Sequence, residues 1–551
     1  MKRCPQCGRV YDTSMMFCLD DGAELLYGPA SEPPASAGGF PSEPPASAGG
    51  QFDDGPKTAF LSEPYLISGG FQDTDPKTAL YQNISDSSIV KSIAVLPFVN
   101  MSADPENEYF CDGIAEELLN ALAKIDGLRV AARTSSFSFK GKNVAVREIG
   151  QALNVRSILE GSVRKAGNRV RVTVQLINAA DGYHLWSEVY DREMQDVFAI
   201  QDEITAATIK NLKLKLLESP AWNIGRPENF EAHNECLRGR HYLNKRTADD
   251  ILKGVQYFEK ALLIDKDYAP ALSGLADSYN LLGAGDYAVL SPDDAFPKAK
   301  EAALRALEID PSSADAHTAL GWSAMVYDWD FIKSETHYLK AIEIKPGYAT
   351  AHHWYGMLLT ERGNFDEGVS EMKTACTLDP LSPIVNADLA WVLYNARRYD
   401  EAITQCRATL EIEPNFSVAY WNLGQSLREK GSFPEALAAF ETADRLSGGN
   451  QVFRAALAHA LALSGQRDRA TEILEEFLSR SANEYVAPHA MVMIYIGLGE
   501  LDQAFDWLER SFLERSDFIV EARINPAIDP LRDDSRFDDL LSRANLSGRA
   551  I

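Results

Sequence analysis

The sequence predicts a multidomain protein with a small metal-binding module, a mixed α/β domain and an all-α solenoid of helical repeats. Three observations support this fold class. Three cysteines cluster near the amino terminus, apolar and polar residues alternate around position 170, and prolines recur every 34 or 35 residues in the second half. At 551 residues the chain is also too long for a single hydrophobic core.

The charge and the apolar pattern restrict the class of protein. The net charge is -26, and such a surface repels phosphate groups, so nucleic acids and anionic lipids are poor partners. No uncharged apolar run approaches the roughly 18 to 20 residues that cross a bilayer, and the start lacks the apolar region of a signal peptide. Seven cysteines without a regular framework are unlike a secreted disulfide scaffold. We therefore expect a cytoplasmic protein without a membrane span.

Three cysteines near the amino terminus have the spacing of a zinc site. Cys4 and Cys7 form a C-x2-C pair, and Cys18 follows after ten residues. Zinc takes four ligands in a tetrahedron and accepts a carboxylate oxygen as well as thiolates. The stretch resembles bacterial amino-terminal zinc ribbons, CPxCGxxY followed by FCxxDG, in which Asp21 takes the place of the fourth cysteine. We therefore expect a zinc ribbon over residues 1–27 that holds one structural Zn(II). The alternative is an oxidisable tail with unpaired thiols.

Residues 28–88 have the composition of a disordered, flexible linker. Proline, glycine, serine and alanine dominate, and the stretch SEPPASAGG occurs twice. A second duplication, GPKTAFL and DPKTALY, places Thr58 and Thr78 in matching surroundings. Duplication of a linker explains this similarity by itself. The alternative is that both threonines are phosphorylated, because phosphate in such a segment creates a docking point for a Ser/Thr kinase or a phosphopeptide-binding protein.

Residues 89–217 have a mixed α/β pattern. SIAVLPF is a short apolar strand, CDGIAEELLNALAKI has the apolar spacing of a helix, and a further helix begins at about Val197. Between them, four apolar residues from Val170 to Leu176 alternate with polar residues. This alternation predicts a half-buried antiparallel hairpin.

A family resemblance covers most of this α/β region. It is carried by the stretches SIAVLPFVNMSADPENEYFCDGIAEELLNALAKI, EIGQALNVRSILEGSVRKAGNRVRVTVQLINAADGYHLWSEVYDRE and VFAIQDEIT. These are similar to the bacterial TolB amino-terminal-like domain, although Cys111 stands where that family is expected to have serine. In that family the module often lies between a kinase or class III adenylate cyclase domain and an array of tetratricopeptide repeats. The resemblance implies a signalling-linked, non-catalytic module.

Residues 229–551 are dominated by a repeat. The motifs EIDP, EIKP, TLDP and EIEP place Pro311, Pro346, Pro380 and Pro414 at intervals of 35, 34 and 34 residues. Small residues precede each proline at positions where two antiparallel helices approach, and proline ends a helix because it lacks an N–H. The pattern resembles the tetratricopeptide repeat. We expect about eight repeats and a carboxy-terminal capping helix.

The resemblance to tetratricopeptide repeats also predicts a binding groove. In that family, positions 2, 5, 9, 12 and 13 of the first helix of each repeat face the concave side of the superhelix. Counted from Ala314, Ala349, Pro383 and Ser417, these positions include Trp322, His353, Trp391, Tyr394, Asn395, Trp421, Gln425 and Arg428. The alternative is that several of the tryptophans only pack between neighbouring repeats.

These predictions describe a non-enzymatic, cytoplasmic signalling scaffold whose groove binds partner proteins or peptides. Two other classes remain open. A transcriptional regulator would use the zinc ribbon on nucleic acid, although that module has few basic residues. An enzyme would have its site in the α/β domain, where Asp112, Glu116 and Glu117 are candidate acids, although GxxxxGK[ST], HExxH and GxSxG motifs are absent.

Overall fold

The computed structural model describes residues 2–3, 10–11, 91–125, 127–193, 196–212, 229–284, 289–481 and 485–546. The chain divides into two units, Met1–Asn83 and Ile84–Ile551. In the first unit, strand β1 (Lys2–Arg3) pairs antiparallel with strand β2 (Val10–Tyr11). The predicted zinc ligands and the predicted linker lie outside the described residues.

The second unit begins with a six-stranded mixed sheet. Its strands are β3 (Lys91–Val95), β4 (Val99–Asn100), β5 (Leu128–Val130), β6 (Ser157–Ala166), β7 (Arg169–Asn178) and β8 (His184–Glu193). The strand order is β5-β3-β6-β7-β8. Strand β3 is parallel to β5 and β6, β4 is parallel to β6, and β6, β7 and β8 form an antiparallel meander. This sheet confirms the predicted α/β class.

The two faces of this sheet are covered unequally. The apolar residues from Val170 to Leu176 occupy alternate positions of β7 and are fully buried. They face a core formed with helices α1 (Glu108–Ala123) and α4 (Val197–Asn211). Two shorter helices follow β5, namely α2 (Arg133–Phe137) and α3 (Val146–Ala152). Helix α3 covers the opposite face near β3 and the start of β6, whereas strand β8 is mostly exposed.

Among the described residues from 229 onward, the all-α part is a row of eight helix pairs. The pairs are α5 (Phe230–Leu243) with α6 (Ala248–Ile264), α7 (Ala269–Gly283) with α8 (Pro292–Ile309), α9 (Ala314–Val326) with α10 (Phe331–Ile344), α11 (Ala349–Glu361) with α12 (Phe365–Leu378), α13 (Pro383–Asn395) with α14 (Tyr399–Ile412), α15 (Ser417–Glu429) with α16 (Phe433–Leu446), α17 (Gln451–Leu463) with α18 (Arg467–Arg480), and α19 (Pro488–Leu498) with α20 (Leu501–Leu513). The chain continues through α21 (Phe518–Glu521), a 3-10 helix (Pro526–Leu531) and α22 (Ser535–Arg543).

Small residues allow the two helices of a pair to approach closely. A Cβ on Gly321 of α9 would lie 2.6 Å from the Tyr338 ring of α10, and one on Gly424 of α15 would lie 2.8 Å from the Phe440 ring of α16. Both aromatic side chains are fully buried. The recurring prolines stand just beyond the second helix of a pair, since α10 ends at Ile344 and Pro346 follows. The repeat unit of the sequence is therefore one helix pair.

Candidate functional site

The first helix of the repeats, α5, also packs against the core of the α/β domain. Leu237 of α5 belongs to the hydrophobic core of the sheet, whereas Cys236, its neighbour on the same helix, belongs to the core of the first two repeats. Helix α1 approaches α5 closely at Gly113, where an added Cβ would lie 2.6 Å from Leu237 Cδ1. The α/β domain and the repeats therefore share one core element instead of being joined only by a linker.

Polar contacts fix the position of α1 against α5. Asp112 accepts hydrogen bonds from Lys140 Nζ at 2.7 Å, and its Oδ2 lies 3.2 Å from His241 Nδ1. Glu116 Oε2 lies 2.7 Å from Arg133 Nε, and its Oε1 lies 3.4 Å from Arg240 Nη1. The inner side of the first repeat is thus occupied by helix α1.

A third carboxylate of α1, that of Glu117, also contributes to the contact between α1 and α5. Glu117 Oε1 lies 2.9 Å from His233 Nε2, and Glu117 also accepts a hydrogen bond from Gln201 of α4. The other ring nitrogen of His233, Nδ1, lies 2.9 Å from the Tyr268 hydroxyl. The three carboxylates considered as catalytic acids, Asp112, Glu116 and Glu117, are therefore held by neighbouring side chains.

The pKa values of two of these carboxylates agree with this arrangement. Burial acts to raise the pKa of Asp112, but hydrogen bonds from His241 and Lys140 offset it and hold the pKa below its usual value. Burial has the same effect on Glu117, and the charge and hydrogen bond of His233 again bring the pKa below its usual value. Both carboxylates are charged at neutral pH, and Asp112 forms an ion pair with Lys140.

A second contact links the α/β domain to the fourth repeat. Asp379, in the turn after α12, accepts hydrogen bonds from the backbone N–H and the hydroxyl of Ser135, at 2.9 and 2.5 Å. The Ser135 hydroxyl in turn accepts the N–H of Leu381 at 2.8 Å. Helix α2 has Ala132 at its N-cap and no side-chain cap of its own. A carboxylate 244 residues away therefore supplies the cap.

Further along the array, residues 515–532 lie against repeats three to five. We call this segment the C-terminal strap. Ile524 of the strap is fully buried in a cluster that contains Trp391 and Tyr394. The Tyr394 hydroxyl donates a hydrogen bond to Asn525 Oδ1 at 3.1 Å, and Arg523 Nη1 donates one to the backbone carbonyl of Glu361 at 2.9 Å. The strap thus covers the ends of the first helices of these repeats.

Most of the predicted groove residues are buried within the folded chain, and this burial differs from the expectation that they are presented to a partner. Six of them are buried and two are half-buried. The buried six are His353, Trp391, Tyr394, Asn395, Gln425 and Arg428, and the half-buried two are Trp322 and Trp421. For Trp391 the physical reason is its place in a hydrophobic cluster that also contains Met372 of the preceding helix and Ile524 of the strap.

Arg428 is the charged residue among the buried predicted groove residues, and hydrogen bonds satisfy its guanidinium group. Its Nη2 donates hydrogen bonds to the Tyr394 hydroxyl at 2.9 Å and to Glu429 Oε1 at 2.8 Å, and its Nη1 lies 3.2 Å from His459 Nδ1. Burial and the Arg428 charge hold the pKa of His459 well below its usual value, so this imidazole is neutral and accepts a hydrogen bond. Arg428 is therefore a buried structural residue.

A recurring polar contact was not predicted from the sequence. It begins at position 4 of the first helix in repeats four and five. His352 Nε2 lies 3.0 Å from the Pro346 carbonyl and its Nδ1 lies 2.7 Å from Glu371. One repeat on, Asn386 donates to the Pro380 carbonyl at 3.0 Å and accepts from Gln405 at 2.9 Å. The sequence signal that could have indicated this contact is a polar residue at the same position of successive repeats.

One surface of the α/β domain remains open among the described residues. In register across four strands lie Val99 on β4, Ser162 on β6, Thr173 on β7 and Val189 on β8. We call this surface the open sheet face. Large apolar side chains are exposed at its margins, with 58 % of Val99, 45 % of Leu185 and 56 % of Val189 accessible. Tyr183, just before β8, is 75 % exposed.

Several predicted features concern residues outside the described part of the chain. These are the zinc ligands Cys4, Cys7, Cys18 and Asp21, and the threonines Thr58 and Thr78. Zinc binding and phosphorylation therefore stay predictions. Within the described residues, no group of three or more metal-ligating side chains comes together. None of the described helices combines the length and the apolar composition needed to cross a membrane.

Comparison with known proteins identifies the helix pairs. Profiles of the tetratricopeptide repeat match residues 387–450 and 427–488. The helix pairs within residues 387–488 are thus similar to tetratricopeptide repeats. The α/β domain matches a different family, since residues 89–207 fit the profile of the second domain of HilA/YgeH-like transcriptional regulators. The resemblance to the TolB family stays a prediction.

The relatives of this chain include a putative adenylate cyclase and a transcriptional regulator. Putative adenylate cyclase 3 of Rhizobium meliloti is 37 % identical over 245 residues, which is 43 % of this chain and 40 % of that protein. Transcriptional regulator HilA of Salmonella typhimurium is 22 % identical over 263 residues, 47 % of this chain and 46 % of that protein. The chain thus spans less than half the length of both relatives. Among solved structures, Pseudomonas aeruginosa pilF is 21 % identical, with a TM-score of 0.30, over 41 % of this chain and 96 % of pilF.

Proposed function

We propose that this chain is a non-enzymatic scaffold of a cytoplasmic signalling pathway, which binds partner proteins on its outer surfaces. One observation carries the proposal. Most inner-facing positions predicted to line the groove are buried by the chain's own packing, while apolar side chains stay exposed on the open sheet face and on the outer helices. Exposed apolar surface rimmed by polar residues is typical of protein interaction sites.

The chemistry of the described residues favours a scaffold over an enzyme. The three candidate acids of α1 are used in ion pairs and hydrogen bonds that hold the α/β domain against the repeats. The described cysteines, Cys111, Cys236, Cys376 and Cys406, are free thiols, which is typical of proteins in a reducing compartment. The tetratricopeptide repeat is itself an architecture that presents extended surfaces to partners.

A second candidate function is regulation of transcription. It is favoured by the match of residues 89–207 to a domain of HilA/YgeH-like regulators. The net charge of -26 disfavours direct contact with DNA, so this function would act through a protein partner. Fluorescence anisotropy with a labelled random duplex at low salt tests whether the chain itself contacts DNA, and we expect no saturable binding. Saturable binding that weakens steeply with salt would favour direct contact with DNA over the scaffold.

Site-specific photocrosslinking tests the scaffold. A photoreactive amino acid is placed at the exposed outer positions Ile332 and Leu513 and, as matched controls, at the buried inner positions Asn395 and Gln425. We expect crosslinks to another protein from an outer position in cells. The inner positions should give only crosslinks within the chain. Crosslinks to a partner from the inner positions alone would show that the groove opens and would overturn the proposal.

A further inference from the structure

A surface cavity of about 610 Å³ lies in the α/β domain, between helix α3 and the turn that joins β7 to β8. Helix α3 approaches this turn closely, since a Cβ on Gly150 would lie 2.4 Å from the Cβ of Ala179. The side chains used below, all of which line the cavity, are Arg147, Gln151, Asn154, Arg156 and Leu185. A volume of this size is typical of sites that hold small molecules.

The charge of this cavity is the opposite of the charge of the whole chain. Two arginines line it, and none of its lining residues is acidic, although the chain has 80 aspartates and glutamates. Glu148, next to Arg147 on α3, is not among the lining residues. The cavity is therefore a local cationic site on an acidic protein.

The two arginines of the cavity are also unlike the other arginines of their domain. Residues 89–217 contain eight arginines, and six of them have a carboxylate or a backbone carbonyl as partner. These six are Arg129, Arg133, Arg164, Arg169, Arg171 and Arg192. The guanidinium groups of Arg147 and Arg156 have no partner among the described residues, and both side chains are exposed. Both are free to bind an anion.

The groups around the cavity keep these two arginines free. Asp181, in the turn after β7, accepts hydrogen bonds from Asn178 Nδ2 at 3.1 Å and from the N–H of Tyr183 at 3.0 Å, so it is held within the turn. Arg129 donates a hydrogen bond to the backbone carbonyl of Asn154 and so adds a third positive charge beside the wall. The surroundings therefore strengthen the attraction for an anion.

A β-bulge in β8 adds an apolar group to the wall. Leu176 pairs with Trp186, whereas Ile177 pairs with His184, so Leu185 is the extra residue of the bulge. Bulges redirect side chains and are frequent beside functional sites. Leu185 lines the cavity and is 45 % exposed. The wall thus combines cationic, amide and apolar groups.

We propose that this cavity binds a small molecule that carries a phosphate monoester, with Arg147 and Arg156 on the phosphate and Leu185 against an apolar part of the ligand. At neutral pH a phosphate monoester carries roughly -1.5 to -2 charges and three acceptor oxygens, which match two guanidinium groups. A carboxylate carries one charge. The site goes beyond the scaffold function and does not depend on it.

The net charge of the chain does not oppose this ligand. Charges more than about 8 Å apart are largely screened at physiological ionic strength, so a single phosphate group responds mainly to the arginines beside it. A long phosphate backbone would instead extend over the acidic remainder of the surface.

Isothermal titration calorimetry of the full chain with phenyl phosphate at neutral pH tests the site. We expect saturable binding of one molecule per chain, with a dissociation constant that rises at least tenfold in Arg147→Gln and in Arg156→Gln. Arg164→Gln is the matched control, because it removes the same charge from an exposed position of the same domain outside the cavity. Melting temperatures should not change in these variants. The absence of saturable binding, or an equal loss in Arg164→Gln, would overturn the proposal.

Two comparison ligands test the chemical class. Benzoate has the same ring with a single carboxylate charge, and phenyl sulfate has a tetrahedral group with a single charge. We expect phenyl phosphate to bind at least tenfold more tightly than either. Equal binding of benzoate would overturn the assignment of a phosphate ligand.

Leu185→Ala tests the position of the apolar part. This variant should bind phenyl phosphate severalfold more weakly and inorganic phosphate as the wild type does, because only the ring contacts Leu185 in the proposed complex. Equal weakening of both ligands would overturn the role given to Leu185.

Discussion

The inner surface of the repeats is filled by different chemistry at its amino-terminal end and in the middle of the array. At the amino-terminal end, helix α1 meets α5 through the carboxylates of Asp112, Glu116 and Glu117 and their basic partners. In the middle of the array, the C-terminal strap meets the repeats through Ile524, which is fully buried, through hydrogen bonds to neutral groups such as the Tyr394 hydroxyl, and through one partly exposed ion pair between Arg397 and Asp529.

The difference teaches that the inner surface of the same kind of repeat can be covered mainly through ion pairs or mainly through apolar packing. The two kinds of contact respond differently to pH, salt and mutation. Ion pairs at a partly exposed contact depend on protonation and are weakened by salt. A buried aliphatic side chain depends on how well its cavity is filled. The contact of α1 with α5 and the contact of the C-terminal strap should therefore respond differently to mutation and to pH.

The largest loss of stability is expected from Trp391→Ala, in the cluster that contains Ile524 of the C-terminal strap. Removing a buried tryptophan should lower the free energy of unfolding by about 3–5 kcal/mol, because it leaves a cavity beneath the strap. Denaturant unfolding of the full chain measures this. Trp322→Ala, at a half-buried position, should cost less. An unchanged free energy of unfolding would mean that Trp391 is not part of the core.

The strap itself is tested by Ile524→Ala. We expect a loss of about 2–4 kcal/mol, since Ile524 is fully buried, and faster hydrogen exchange in residues 518–531 and in α13. The amides of α1 should exchange as in the wild type. Ile332→Ala, at an exposed position, should leave both stability and exchange unchanged.

The amino-terminal end is tested by Asp112→Asn. The asparagine keeps the shape but leaves His241 without its carboxylate partner and Lys140 with Glu108 alone, so stability at pH 7 should fall by about 1–2 kcal/mol. Because the folded pKa of Asp112 lies below its unfolded value, its contribution is present above the unfolded pKa and is lost as pH falls through the folded pKa. The wild type and the variant should therefore converge in stability at pH values below about 4.

The opposite pH response is expected at Glu361, beside the strap. Burial, and then the charge of Glu521, raise the pKa of Glu361 well above its usual value. Its neutral form therefore supports stability below the unfolded pKa, and this contribution is lost as pH rises through the folded pKa. Glu361→Gln should gain about 1 kcal/mol over the wild type at pH 8 and lose the pH dependence. The exposed Glu367→Gln is the control and should behave as the wild type.

Cys7→Ser, in the first unit, is expected to have the smallest effect on the stability of the second unit. Elemental analysis should find about one zinc per wild-type chain and none in the variant, since a tetrahedral site of three thiolates and one carboxylate loses a ligand. The unfolding of the second unit should shift by less than about 0.5 kcal/mol, as for a change outside its core. Zinc retained by the variant would contradict the predicted site.

Local periodicity made several parts of the fold predictable. The prolines at 34 or 35 residue intervals and the small residues before them indicated helix pairs, because both act between residues close in sequence. The alternation from Val170 to Leu176 indicated the hairpin for the same reason. The positions of the predicted groove residues followed from the repeat, but their burial did not.

What the sequence by itself determined is therefore the set of elements and their repeat, and what the tertiary structure decided is which surfaces stay free. Asp379 caps a helix that begins at Arg133, and Asn525 accepts a hydrogen bond from Tyr394. These partners are far apart along the chain and no local pattern connects them. Whether a side chain such as Trp391 binds a partner or fills a core depends on what packs against it, and only the folded chain brings Ile524 there.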